Sequence, residues 1–154
     1  IKPLQNAGIH LLVKPFSNPD GAGTVIKADA QMAYTRPVII VKHNQVLLSI
    51  SARDYSFISE GHLSDIFSIF AKNHVRINTM QTSALSFSAC FNVHEDRFEP
   101  LLANLKQRFK VKYNTGLQLI TIRHYQPGDL RKLIQNKTIL LEQHSRNTLQ
   151  MVVR

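Results

Sequence analysis

Two short polar stretches of this sequence carry groups that suit the binding of a small ligand. In "SFISEGHL", residues 56–63, serines precede a glycine at the point where an amphipathic helix is predicted to begin. Free backbone N–H groups at a helix start can bind a carboxylate, and a glycine lets a ligand approach the backbone closely. In "RINTMQTS", residues 76–83, Asn78, Thr82 and Ser83 offer short polar side chains that could hold an amino group.

The same residues also have an ordinary structural interpretation. Ser59 is a suitable N-cap for a helix over about residues 61–73, because its hydroxyl can accept a hydrogen bond from a first-turn amide. Thr82 and Ser83 are residues that hairpin turns favour. Spacing alone therefore leaves both a ligand socket and plain capping and turn chemistry open.

No catalytic or metal-ligating constellation accompanies these stretches. The 7 histidines form no pair at i, i+4 with an acid between them, as a helical zinc site requires. The single cysteine, Cys90, excludes an internal disulfide and a cysteine-rich zinc site, and as a strand residue it is expected to serve packing. We predict no catalytic residue, no metal and no cofactor in this chain. One cysteine also fits a reducing cytosol, so we expect a cytoplasmic protein.

The net charge of +9 and the pI of about 10.0 require that a nucleic-acid partner be considered. The basic residues are scattered, however, and only residues 106–112 are dense in cations, where a helix end makes cations favourable. The strand "LSFSACFNV" lacks the glycine and the leading basic residue of an RNA-reading strand. We predict no nucleic-acid partner and keep an RNA-binding module as the alternative. No apolar run approaches the roughly 20 residues of a membrane span, so no membrane partner is predicted.

The predicted elements that must position the polar stretches follow a β-α-β-β-α-β order. The strand "QVLLSIS" (45–51) leads into the helix at 61–73, the strands "VRINTM" and "LSFSACFNV" follow, and a helix over 97–109 precedes the strand "FKVKYN". This is the ferredoxin-like unit, an α+β fold in which right-handed crossovers put both helices on one face of an antiparallel sheet.

The order then begins again and stops early. "LQLITIR" is a strand, "PGDLRKLIQN" (127–136) a short helix, and "KTILLEQHS" and "TLQMVV" are two strands, which leaves this unit without its last helix and strand. The separate strand "VIIVKHN" (38–44), which lies directly before "QVLLSIS", could supply the missing strand. The first unit would then be inserted inside the second.

Three segments resemble the aspartokinase family. "GIHLLVKPFSNPDGAGTVI" (8–26) resembles the segment by which aspartokinases leave their catalytic domain. "FISEGHLSDIFSIFAKNHVRINTMQTSALSFS" (57–88) resembles the first regulatory ACT domain of that family, and "ILLEQHSRNTLQMVV" (139–153) resembles a strand pair of the second. The resemblance covers nearly the whole chain. Within the family, the chain is most similar to the bacterial monofunctional, lysine-type members.

The resemblance implies two interleaved ferredoxin-like ACT domains. It assigns residues 1–36 to a linker from a kinase domain expected before Ile1, residues 45–116 to the first ACT domain, and residues 37–44 plus 117–154 to a second, reduced ACT domain. Aspartokinases phosphorylate the side-chain carboxylate of aspartate with ATP, on the path to lysine, threonine and methionine, and end products inhibit them through the ACT pair. This chain would bind and signal without catalysing, with an amino-acid effector (lysine or threonine), its own kinase domain and a second copy of itself as partners.

The family resemblance also maps an effector site onto this sequence. Its residues are Ser56, Ser59, Gly61, His62, Leu63, Ile77, Asn78, Ser83 and Ala84. Backbone amides near Gly61 would hold the effector carboxylate, and Asn78 would meet its amino group or side chain. Lysine-binding relatives tend to have Asp at the position of Asn78 and Glu at that of Ala84, so this sequence favours threonine, or no effector. An ACT regulator that is not attached to a kinase is a further alternative.

Overall fold

The computed structural model of the protein describes residues 1–28, 37–92, 94–125 and 134–154. These residues belong to two compact units, Ile1–Thr35 and Arg36–Arg154. Within these four ranges, no helix combines the length and the hydrophobicity that crossing a membrane requires.

The first unit is a short helix followed by a hairpin. Helix α1 spans Lys2–Asn6, and strands β1 (Leu11–Val13) and β2 (Thr24–Ile26) pair antiparallel. Gly23 precedes β2 with a φ of +68°, and a Cβ added there would lie 2.6 Å from the carbonyl oxygen of Val13. Only glycine fits this close approach of the two backbones.

The described residues of the second unit form one six-stranded sheet and two helices. Its elements in chain order are β3 (Val38–Ala52), α2 (Glu60–Lys72), β4 (Ile77–Thr82), β5 (Phe87–Asn92), α3 (Glu95–Arg108), β6 (Phe109–Arg123), β7 (Ile139–Ser145) and β8 (Thr148–Val153). The strand order is β4-β5-β3-β6-β8-β7, and every neighbouring pair is antiparallel. The predicted α+β class with an antiparallel sheet is confirmed. Helix α3 begins two residues before the predicted start at Arg97.

The sequence predicted separate strands where the structure has single long ones. The segments predicted at 38–44 and 45–51 form the 15-residue strand β3, and those at 109–114 and 117–123 form the 15-residue strand β6. The pairing of β3 with β6 shifts register on either side of Gln45, where Asn44 and Gly116 have φ values of 54° and 68°. A bulge bends a strand without ending its ladder, and both strands continue through this point, so the predicted breaks were wrong.

Helices α2 and α3 cover one face of the sheet. Ile66 and Phe70 of α2 pack with Leu101 and Leu105 of α3 onto alternate residues of β3 and β5. The sequence's periodicity predicted both apolar stripes, and these four side chains are buried. The helix predicted over 127–136 lies largely outside the described residues.

On the opposite face, the sheet is curved so that side chains of its two outermost strands, β4 and β7, meet. Leu47, Cys90 and Leu117 pack with apolar residues of β7 and β8 in an inner cluster. Beside it, the hydroxyl of Thr79 on β4 lies 3.0 Å from Gln143 Oε1 on β7 and 3.2 Å from Gln150 Oε1 on β8. Strands β4 and β7 are the two ends of the strand order, so these polar side chains join the ends of the sheet.

Replacing Thr79 with valine should test this closure. Thr79 is buried, and its one hydroxyl hydrogen satisfies a glutamine oxygen on the far strands. We expect Thr79→Val to lower the free energy of unfolding by about 0.5–1.5 kcal/mol, because the hydroxyl that joins β4 to the glutamines of β7 and β8 is lost. Urea denaturation is the measurement. The control is Thr82→Val, at an exposed position on the same strand. It should change the free energy of unfolding by less than about 0.5 kcal/mol. Equal effects of the two substitutions would contradict a stabilising contact between the ends of the sheet.

Candidate functional site

The start of helix α2 is built by a reciprocal cap between two residues of the predicted site. The Ser59 hydroxyl accepts a hydrogen bond from the His62 amide at 3.4 Å, and His62 Nδ1 accepts one from the Ser59 amide at 3.3 Å. The interpretation of Ser59 as an N-cap is therefore confirmed. The amides of Glu60 and Gly61 face no acceptor in the part of the chain that the structure describes. They remain available to an external acceptor.

The turn between β4 and β5 lies against the loop that leads into α2. The Ile58 amide donates to the Ala84 carbonyl oxygen at 2.8 Å, and Ser83 bonds to Ser86 through both its amide and its hydroxyl. The two segments joined by this bond contain seven of the nine predicted site residues: Ser56, Ser59, Gly61, His62, Leu63, Ser83 and Ala84. We call the surface formed by residues 56–63 and 83–84 the α2 socket.

An acidic side chain orders the loop on the near side of the socket. Asp54 accepts hydrogen bonds from the Ser56 hydroxyl at 2.7 Å and the Ser56 amide at 3.1 Å. These bonds, foremost that of the hydroxyl, hold the pKa of the Asp54 carboxyl below its usual range, with a smaller contribution from His62. The two bonds to Ser56 connect Asp54 to the first residue of the α2 socket.

Gly61, Leu63 and the ring of His62 have different surroundings. Gly61 is exposed, and a Cβ added there would meet only Ser59 Oγ at 3.7 Å. The fold therefore does not require glycine at this position. Leu63 packs against the helix-side core, and the His62 ring meets the Phe109 ring edge-on at 5.8 Å between centroids.

Ile77 and Asn78 do not join the α2 socket within one chain. They begin strand β4, whereas Ser83 and Ala84 follow its end. The strand has 6 residues, and at roughly 3.3 Å per residue its ends lie about 17 Å apart. The predicted effector set therefore falls into two groups at opposite ends of β4, and its role in binding stays a prediction.

The amide of Asn78 is already engaged in a polar network. Its Nδ2 donates to Gln45 Oε1 at 2.8 Å and to Asn92 Oδ1 at 2.7 Å, and its Oδ1 accepts from Lys42 Nζ at 2.8 Å. An ammonium group approaching Asn78 would meet the positive charge of Lys42. The sequence showed Lys42 only as one of many scattered cations, and nothing in its spacing indicated this contact.

Cys90 belongs to the same network and has a structural role. Its Sγ lies 3.7 Å from Gln45 Oε1, and burial raises the pKa of the Cys90 thiol to about 11. The side chain is therefore a thiol and not a thiolate at neutral pH, as expected of a packing residue. Among the described residues, no group of three or more His, Cys, Asp or Glu side chains could hold a metal ion.

Comparison with solved structures identifies the fold. No model of a known protein family matches this sequence, and no curated protein sequence does. The structure of Escherichia coli aspartokinase III in complex with lysine and aspartate, in the T-state, is 17% identical to this chain. It superposes with a TM-score of 0.75 over 98% of this chain and 37% of that chain. The chain has the fold of an aspartokinase regulatory region.

Two further structures support the same conclusion. Clostridium acetobutylicum aspartate kinase is 17% identical, with a TM-score of 0.77 over 99% of this chain and 39% of that chain. A putative C-terminal regulatory domain of aspartate kinase from Porphyromonas gingivalis is 11% identical, with a TM-score of 0.64 over 77% of this chain and 86% of that chain. The chain thus spans well under half of the two whole enzymes and most of the isolated regulatory domain. At the level of the fold, the resemblance found in the sequence is confirmed.

Two substitutions should separate the structural roles of Ser59 and Gly61. We expect Ser59→Ala to lower the free energy of unfolding by about 1 kcal/mol, because the His62 amide loses its cap. Gly61→Ala should leave it unchanged or raise it by up to about 1 kcal/mol, since the added methyl group has space and alanine favours a helix. Chemical denaturation of both variants is the measurement. A destabilising Gly61→Ala would show that the fold itself needs this glycine.

Proposed function

We propose that this chain is the regulatory region of an aspartokinase, and that it senses an amino acid and transmits inhibition to a kinase domain. The observation that carries this proposal is the likeness over nearly the whole chain to a minor part of E. coli aspartokinase III, together with the likeness to most of an isolated regulatory domain. The parent enzyme would transfer phosphate from ATP to aspartate in the cytoplasm. This part would regulate that reaction.

The proposed regulatory region consists of two interleaved ACT domains. Residues 45–116 form the first, residues 37–44 plus 117–154 form the second, and residues 1–36 are the linker from the kinase domain. The strand orders β4-β5-β3-β6 and β7-β8-β6-β3 support this division, because each is the order of a ferredoxin-like sheet. The second half of β3 and the first half of β6 would belong to the first domain, and the other two halves to the second domain.

The α2 socket is the proposed effector site. The amides of Glu60 and Gly61 would hold the effector carboxylate, and the exposed Gly61 would let it approach. Ile77 and Asn78 would complete the site from a second copy of the chain, since they lie at the far end of β4 within one chain. An effector that binds the closed regulatory pair more tightly would shift the enzyme to its inactive state, with a coupling of roughly 1–3 kcal/mol.

The surroundings favour an effector with a neutral side chain. Lys42 Nζ bonds to the Asn78 amide, and Ala84 offers no charge to a cationic side chain. With the effector side chain next to Asn78, the ammonium group of a lysine side chain would be repelled by Lys42, whereas the neutral side chain of threonine would not. We therefore propose threonine over lysine.

The RNA-binding alternative is disfavoured by the burial of two aromatic side chains. Phe87 and Phe91, the residues that would stack on bases, are 2% and 1% exposed beneath helices α2 and α3. Single-stranded RNA is read by aromatics on an open sheet face, which these two residues do not form.

Calorimetric titration with threonine, lysine and methionine tests the proposed sensing. We expect saturable binding of threonine and weaker or undetectable binding of lysine. In the Gly61→Val variant, threonine binding should be lost, because a branched side chain would cover the amides at the start of α2.

The matched control is Ser64→Val, on the exposed face of the same helix. It should bind threonine normally, and the far-UV circular dichroism of both variants should match the parent protein. Absence of binding by all three amino acids would remove the support for sensing. Loss of structure in Gly61→Val alone would instead indicate that Gly61 has a structural role.

Homodimerisation is proposed to use the open edge of β3. Strand β5 pairs only with Gln45–Ile50, so residues 38–42 have a described neighbour on the β6 side alone. The apolar side chains of Val38, Ile39, Ile40 and Val41 are 40–45% exposed there. An open apolar edge is a template for a second strand.

Sedimentation equilibrium should reveal a concentration-dependent dimer. Ile40→Lys should weaken it by tenfold or more, about 1.4 kcal/mol or greater, because a charge would be buried at the interface. The control Val25→Lys, in the first unit, should leave the dimer intact. A monomer at every concentration, or equal effects of both variants, would contradict the proposed interface.

A further inference from the structure

A basic cavity of about 560 Å³ lies at the end of β4 opposite the α2 socket. Three parts of the chain converge on it: the middle of β3, the loop from α2 to β4, and the first turn of α3. The cations and imidazoles that line it are Lys42, His74, Arg76, His94 and Arg97. Ile77 and the amides of Asn78 and Asn92 complete the lining. We call this site the basic cavity.

The positive charge of the basic cavity is largely uncompensated. None of its described lining side chains is acidic. Lys42 bonds to the neutral amide of Asn78, and Arg97 Nη1 donates to the backbone oxygen of His74 at 3.0 Å. Asp96, which is mostly exposed, lies 3.8 Å from Arg97 Nε. Arg76 forms no ion pair with any residue that the structure describes.

These cations are held in place by bonds that leave their charge intact. Lys42 is oriented by Asn78 Oδ1 and Arg97 by the backbone oxygen of His74, and neither oxygen carries a charge. Both side chains therefore keep their positive charge and lose little further conformational entropy when a ligand binds. The planar guanidinium group of an arginine can donate two hydrogen bonds to two oxygens of one phosphate. The side-chain amides of Asn78 and Asn92 are bonded to each other, so the charged groups are the main donors left for a ligand. The converging cations therefore suit an anionic ligand.

We propose that the basic cavity binds a small phosphorylated molecule. Its volume lies within the range of small-molecule sites and exceeds what a single phosphate needs, so the ligand would carry further atoms or a second phosphate. Within one chain the cavity lies away from the α2 socket, but Ile77 and Asn78 line it and would also complete the proposed effector site in a dimer. Its test is separate from that of amino-acid sensing, because it measures binding of an anion with no amino acid present. A nucleic acid is disfavoured because the cations converge on one concavity instead of following a stripe.

Titration with inorganic pyrophosphate tests the proposal, with isothermal calorimetry as the readout and sodium chloride of matched ionic strength as the reference. We expect saturable binding of one pyrophosphate per chain. Arg76→Gln should weaken it about tenfold, because one charge-assisted bond pair is lost. Arg97→Gln should weaken it by a similar factor, and Arg76→Lys by less, since it keeps the charge but not the fork.

The matched control is Arg146→Gln in the turn between β7 and β8, which removes the same charge from an exposed position outside the cavity. It should change pyrophosphate affinity by less than about twofold. Far-UV circular dichroism checks the fold of each variant.

Three outcomes would overturn the proposal. One is no saturable pyrophosphate binding beyond the chloride reference. Another is equal weakening by Arg146→Gln and Arg76→Gln, which would indicate diffuse attraction by the net charge. The third is tighter binding of a single-stranded oligonucleotide than of pyrophosphate, with an affinity that falls equally in both variants, which would indicate a nucleic-acid surface.

Discussion

The pairing of β3 with β6 is the constraint on which the rest of the second unit depends. These two 15-residue strands are hydrogen-bonded from Val38–Arg123 to Ala52–Phe109, and the remaining strands attach on either side of them. Strand β5 pairs with the second half of β3, and β8 pairs with the second half of β6. Because each long strand has neighbours along only half of its outer side, the sheet contains two offset groups of four strands that share a single ladder.

The bulges in the middle of this ladder let the two groups differ in their packing. Near Asn44 and Gly116 the register shifts, and beyond that point the helix-side core gives way to a separate cluster around Ile120, Ile122 and Met151. Without the bulges, the helix-side core and the cluster around Ile120 would lie along one continuous flat sheet. The bent pair brings the sheet's inner face together, so that Thr79 on one outermost strand reaches Gln143 on the other.

The same topology explains why polar sites form at the two ends of β4. Helix α2 runs antiparallel to β4, so its N-terminus lies near Ser83 and Ala84 and its C-terminus near Ile77 and Asn78. Helix α3 begins where β5 ends, which brings Arg97 to the second location. One end thus carries the amides of Glu60 and Gly61, which suit a carboxylate. The other end carries converging cations, which suit a more highly charged anion.

Local sequence pattern determined the elements of this protein and its resemblance to aspartokinases. The apolar stripes of α2 and α3, the cap at Ser59 and the alternation of β5 are short-range signals, because helical and strand periodicities are local properties. Only the tertiary structure decided that the neighbouring strands merge into β3 and β6, since a bulge depends on a partner strand. It also separated Asn78 from the α2 socket and gathered Lys42, Arg76 and Arg97 into one cavity. Residues so far apart in sequence meet only through the pairing and curvature of the sheet, which no local pattern encodes.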